Sequence, residues 1–101
     1  MEVLNPLIGS EFPSQTAMYS GTAGNTGNWP AGPQGVLIWS TTPCYVLVGE
    51  NVTATATLGT PIPAGIPIPF KIPITVSGLW RVSAIQISDS GVVYCKPINK
   101  A

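Results

Sequence analysis

Between Pro61 and Val76, aliphatic residues and prolines alternate almost without a break, and no other stretch restricts the fold so tightly. Ile62, Ala64, Ile66, Ile68, Phe70, Ile72, Ile74 and Val76 take the even positions. Pro61, Pro63, Gly65, Pro67, Pro69, Lys71, Pro73 and Thr75 take the odd ones. A period of two belongs to an extended strand, so the even side chains are expected on one face. Proline has no N–H to donate, which excludes this run from the middle of a sheet and from a helix interior. It must be an edge strand or a polyproline-like extended segment. A proline-studded edge also resists pairing with another chain, which suits a protein present in many copies.

Other stretches after Gly35 read as strands too. Short apolar runs at 36–40 and 44–48 flank Thr41-Thr42-Pro43, and Gly49-Glu50-Asn51 reads as a turn. Val52, Ala54, Ala56 and Leu58 alternate with Thr53, Thr55 and Thr57, predicting a half-exposed strand with one apolar and one hydroxyl face. Residues 79–87 and 92–96 are joined by the polar loop Ser88-Asp89-Ser90-Gly91, which predicts a β-hairpin. No window combines helical spacing with a cap. The expected fold is all-β, a small sandwich or barrel of about six strands.

Residues 1–34 differ. They are rich in Gly, Asn, Ser, Thr and Pro, as at 21–28, and hold no sustained period. Apolar residues are nevertheless strung along them: Leu4, Leu7, Ile8, Phe12, Met18, Tyr19 and Trp29. A flexible linker carries few such side chains, whereas an arm laid into a partner's pockets carries several. The expectation is an extended arm over 1–34 with those seven residues as interface anchors, and a β core over 35–101. Trp29 leads the set, because Trp contributes disproportionately at interfaces.

Composition removes whole classes of function. Four Lys/Arg balance four Asp/Glu, and there is no His. Zero net charge argues against nucleic acid, which demands a basic footprint, and against a polybasic membrane surface. Without His, and with two Cys, most zinc sites and every Ser-His-Asp or Cys-His arrangement are excluded. The carboxylates Glu2, Glu11, Glu50 and Asp89 fall in the arm or in turns, with no pair placed for acid–base work. No catalytic residue, metal or cofactor is therefore expected. With 45% hydrophobic and 8% charged residues, the chain is also the reverse of a disordered one.

The start has no basic region followed by an apolar run, and no stretch reaches the roughly 20 apolar residues of a membrane span. The protein is expected to stay in the cytoplasm where it is made, or to leave it within an assembly. Cys44 and Cys95 are then read as reduced, buried small hydrophobes, with a disulfide as the alternative. Asn51-Val52-Thr53 is read as a chance glycosylation sequon. Most of Trp39, Phe70 and Trp80 are expected in the core.

The strings Cys44-Tyr45-Val46-Leu47-Val48-Gly49, Thr53-Ala54-Thr55-Ala56, Pro61-Ile62-Pro63-Ala64-Gly65, Arg81-Val82-Ser83-Ala84-Ile85-Gln86 and Gly91-Val92-Val93-Tyr94 carry a resemblance. This pattern resembles small β-proteins encoded among the structural genes of tailed bacteriophages, some of them capsid decoration, or cement, proteins. It covers about half the chain, leaves out everything before Gly35, and supplies no functional residues. The resemblance implies a virion protein on the capsid exterior, with the major capsid protein as partner and a homo-oligomeric state at capsomer junctions. Alternatives are a tail, neck or baseplate component and, from another class, a carbohydrate- or host-surface-binding module using Trp29 or Tyr94. Physics points the same way. A core of about 65 residues buries only some 60% of its unfolded surface and gains by burying more between subunits. Whatever binds an assembled shell and not its parts shifts the equilibrium toward the shell.

Overall fold

A computed structural model describes residues 4–6 and 12–100, which form ten strands and no helix. The strands are β1 (Leu4–Pro6), β2 (Gln15–Tyr19), β3 (Gly24–Asn25), β4 (Trp29–Pro30), β5 (Gly35–Ser40), β6 (Cys44–Gly49), β7 (Thr60–Ile62), β8 (Ile68–Lys71), β9 (Leu79–Gln86) and β10 (Gly91–Lys100). They make two antiparallel sheets, each built around one long strand. In the first, β10 carries β5 on one side and β2 and then β1 on the other, with β8 outside β5. In the second, β9 carries β6 on one side and β3 and β4 on the other, with β7 outside β6.

Alternation along the strands decides what lies between the sheets. Ala17, Tyr19, Val36, Ile38, Val93 and Cys95 of the first sheet form one buried cluster with Trp29, Cys44, Val46, Ile62, Trp80, Val82 and Ala84 of the second. The chain repeatedly crosses this core. β5 and β6, β7 and β8, β8 and β9, and β9 and β10 all lie in opposite sheets. The hairpin expected from 79–87 and 92–96 is therefore an arch, because both edges of β9 and of β10 are already occupied by other strands. A polar loop ending in Gly serves either purpose. The two arches at this end are tied together. The Tyr19 hydroxyl donates to the Thr42 carbonyl at 2.8 Å, and Thr42 Oγ1 donates to the Asp89 carbonyl at 3.1 Å.

The Ile-Pro run supplies the outer edge of each sheet, β7 in one and β8 in the other. Ile62 is buried, and Ile68, Phe70 and Ile72 pack against the core, whereas the odd positions 67, 69, 71 and 73 are exposed. Ala64, Ile66, Ile74 and Val76 are exposed and depart from the expected single face. The alternation is broken where the chain crosses between sheets, with Gly65 at φ 75°, and again after Lys71, where β8 ends.

Two further expectations are corrected. Residues 52–58 are not a strand, because β7 already holds the edge of β6 that such a strand would need. They lie over the outer side of the second sheet, where the Ala54 amide donates to the buried Ser83 hydroxyl at 2.7 Å and Arg81 Nε donates to the Val52 carbonyl at 3.0 Å. Ala54 is buried there, while Ala56 and Leu58 are exposed.

Nor does the fold begin at Gly35. β2 pairs with β10, and residues 24–30 run along β9. Gly24 and Asn25 face Ala84 and Ser83, but Trp29 and Pro30 face Trp80 and Leu79, so one extra residue is accommodated as a bulge. Inside it Thr26 is buried and pairs with Val82 twice: its amide donates to the Val82 carbonyl, and its hydroxyl accepts the Val82 amide. Bulged pairing of this kind leaves no period for the sequence to show.

Candidate functional site

The seven expected anchors do not form one docking surface. Trp29 is fully buried, stacked on Trp80 at 4.6 Å with 27° between the rings. Its indole N–H donates to the Pro13 carbonyl at 2.9 Å, and that of Trp80 to the Pro30 carbonyl at 3.0 Å. Tyr19 is buried as well, and Phe12 is half-buried against the core. These three are internal because an aromatic ring of this size stabilises a small core more than an exposed arm. Leu4 sits in β1 opposite Lys100, and Leu7 and Ile8 lie outside the described residues. Met18 stands in the open, 79% exposed.

Met18 marks the edge of a larger feature. On the outer face of the first sheet, register sets Met18 beside Val92, Tyr94 between Thr16 and Trp39, and Lys96 beside Leu37. Of Trp39, Phe70 and Trp80, most of which were expected in the core, Trp39 is the one turned outward by its odd position in β5, while Val36 and Ile38 turn in. Its ring lies 5.0 Å from that of Tyr94, tilted by 44°. Together with Leu37, Lys96 and residues 14–16 the pair lines an open cleft of about 250 Å³. Two of its polar groups are committed. Gln15 Oε1 accepts the Gly27 amide at 2.7 Å, and Lys96 Nζ donates to the Phe12 carbonyl at 3.0 Å. The cleft is thus a mainly carbon-lined notch with the Lys96 ammonium at its side. Outward odd positions on β5 and even positions on β10 were readable from the alternation, but their adjacency depends on β5–β10 pairing across more than half the chain.

A second surface stands between β8 and β9. Ile74 and Val76 are fully exposed there, at 102% and 99%, with Leu79 partly exposed behind them. The loop is braced by Glu50, whose carboxylate accepts the Ser77 amide at 2.7 Å and the Val76 amide at 3.4 Å. Hydrogen bonds from Ser77, and then from Val76, hold the Glu50 carboxyl below the usual carboxylate range. At the end of the loop Gly78 takes φ 79°, a conformation that favours glycine.

The thiols are the remaining reactive groups, and Cys95 lies beneath the cleft. Cys44 and Cys95 are free and buried on facing sheets. Burial pushes the Cys44 thiol up and that of Cys95 to about 12, so neither offers a thiolate at neutral pH. Among the described residues no three His, Cys, Asp or Glu side chains are grouped to hold a metal ion. Asn51, in the sequon, sits exposed in the turn after β6 with φ 52°. A comparison of the chain with protein-family models, curated proteins and solved structures finds no match.

Proposed function

We propose that the chain is a structural virion protein of a tailed phage, a cement protein whose β-sandwich binds major capsid protein subunits at capsomer junctions and stabilises the shell. One observation carries this reading: a protein of zero net charge leaves Met18, Leu58, Ile66, Ile74 and Val76 more than half exposed. Exposed apolar side chains mark contact sites where they adjoin, as Ile74 and Val76 do on one loop. The resemblance of the sequence strings to phage structural proteins supports the same class. Binding through such a surface would stabilise a shell by mass action, with no chemical step. Residues 12–34 cannot act as the reaching arm, so contacts would come from the sheet face and the loops.

The test is the protein content of purified particles. Hundreds of copies per particle, and shells that burst at lower temperature when the protein is removed, are expected. Copies numbering six to a few dozen would instead assign it to the tail, neck or baseplate. The exposed Trp39–Tyr94 pair favours a second reading, a carbohydrate-binding face. Gln15 Oε1 and Lys96 Nζ are already bonded to backbone groups, which leaves Ser14, Thr16 and Tyr94 to meet sugar hydroxyls.

A further inference from the structure

The cleft on the outer face of the first sheet combines an aromatic pair, free hydroxyls and a cation. Register lines up Thr16, Tyr94 and Trp39 across three strands, with Lys96 two residues farther along β10. Tyr94 and Trp39 stay partly exposed, at 44% and 37%, although their rings meet at 5.0 Å. The negative faces of such rings attract weakly polarised C–H bonds, and the flat side of a pyranose offers these. Ser14, Thr16 and Tyr94 line the same cleft, and their hydroxyls make no hydrogen bond among the described residues. Each can donate and accept. A sugar ring has the matching arrangement, carbon on its faces and hydroxyls around its rim, so neither wall nor ligand is left with polar groups unpaired. A proline-rich peptide would also stack on the rings, but it brings no negative charge to Lys96.

Charge narrows the class of sugar. Among the described residues that line the cleft, Lys96 alone is charged. Its ammonium donates to the Phe12 carbonyl at 3.0 Å, and further N–H donors remain for a ligand. Lys71 of β8 adds a second cation to this face, because Ile68 and Phe70 of that strand turn toward the core. Both described carboxylates lie elsewhere: Glu50 follows β6 of the other sheet, and Asp89 sits in the arch between β9 and β10. We infer that the cleft binds an acidic pyranose, its ring stacked on Trp39 and Tyr94, its hydroxyls on Ser14 and Thr16, and its carboxylate on Lys96. The inference rests on the carbohydrate reading given above and deepens it. It is independent of the capsid reading, which the copy number per particle decides.

The experiment titrates the purified chain, by calorimetry and Trp fluorescence, with oligosaccharides of galacturonate, glucuronate, mannuronate and sialic acid. Dextran and mannan fragments are the neutral counterparts. Saturable binding is expected with at least one acidic oligosaccharide, and every neutral one should bind at least roughly tenfold more weakly. Tyr94→Ala should weaken acidic binding at least roughly tenfold, and Lys96→Gln should bring it down to the neutral level. Thermal melts establish that both variants are folded. Raising ionic strength from about 0.01 M to about 1 M should weaken the same binding by screening. This salt series uses the wild type alone, so it decides the role of charge even where a variant unfolds. No binding by any acidic oligosaccharide overturns the inference, as does acidic binding that ignores salt or folded variants that bind like wild type. Neutral sugars bound as tightly as acidic ones, with Tyr94→Ala still harmful, would overturn the acidic assignment and keep the carbohydrate face. Saturable binding of a proline-rich peptide, with no sugar bound, would overturn both in favour of a peptide groove.

Discussion

Trp29 shows how one residue's role turns on context that its neighbours in sequence do not supply. It stands in Gly-, Asn- and Pro-rich chain, where a large ring looks like an anchor for another molecule. In the fold it is fully buried against Trp80 and its N–H is satisfied by the Pro13 carbonyl. Trp29→Ala should therefore destabilise the protein by about 3–5 kcal/mol, a cavity cost, which denaturant unfolding would measure. Loss of less than about 1 kcal/mol would mean that the ring is an interface residue after all. The cysteines are the reverse case, since their small size and strand positions already suggested buried thiols. Cys95 is raised by burial from an ordinary 9.0 to about 12, and Cys44 is raised by the same cause. A thiol whose folded pKa is raised contributes stability that is fully present below its unfolded value. That contribution is lost as pH climbs through the folded value. Stability should thus decline between about pH 9 and pH 12, and iodoacetamide should label neither thiol at pH 8 until the protein unfolds. Rapid native labelling, read by intact mass, would contradict this placement.

At the scale of the element, the Ile-Pro run was legible in kind but not in extent. Prolines placed it at an edge, and β7 and β8 are edges. Period two predicted one inward face, and Ile62, Ile68, Phe70 and Ile72 turn toward the core. What alternation could not show is where the chain changes sheets, because a crossing loop of prolines and aliphatics keeps the same rhythm. The Thr-Ala alternation at 52–58 misled for a related reason. Period two describes side chains that fit a strand, but a strand also needs a free edge, and β6 has none left. The boundary of one-sided packing can be tested with a single substitution type. Ile68 lies opposite Ile38 and packs on the core, so Ile68→Asp buries an unpaired carboxylate and should cost several kcal/mol, enough to unfold a domain of this size. Ile74→Asp, three periods of the alternation later in the same parity class, should change stability by less than about 0.5 kcal/mol. Thermal melts of the pair decide it, and equal damage from both would mean that the run keeps one continuous face to Val76.

The whole molecule is a weave, and that explains why its domain boundary could not be read from composition. Because successive strands cross between sheets, each sheet is completed by segments far apart in sequence, and no half of the chain closes a core by itself. Long-range pairing of this kind places folding in the millisecond-to-second range expected of all-β topologies. It also makes the first third of the chain a structural requirement. β2 runs along one side of β10 through five residue pairs, from Gly91 opposite Tyr19 to Cys95 opposite Gln15, and residues 24–30 run along β9. Deleting residues 1–28 would remove Ala17 and Tyr19 from the core, strip that side of β10 and leave only Trp29 and Pro30 along that side of β9. It would also remove the Tyr19 hydroxyl, which donates to the Thr42 carbonyl in the arch between β5 and β6. Exposed β10 and β9 edges are templates for aggregation, and neither carries the prolines that guard β7 and β8 in this region: 91–95 and 80–84 hold none. The truncated chain should therefore collect in the insoluble fraction or, if kept in solution, lack cooperative thermal unfolding. A soluble 29–101 fragment with a single sharp transition would show instead that β5–β10 fold without the segments now seen to flank them.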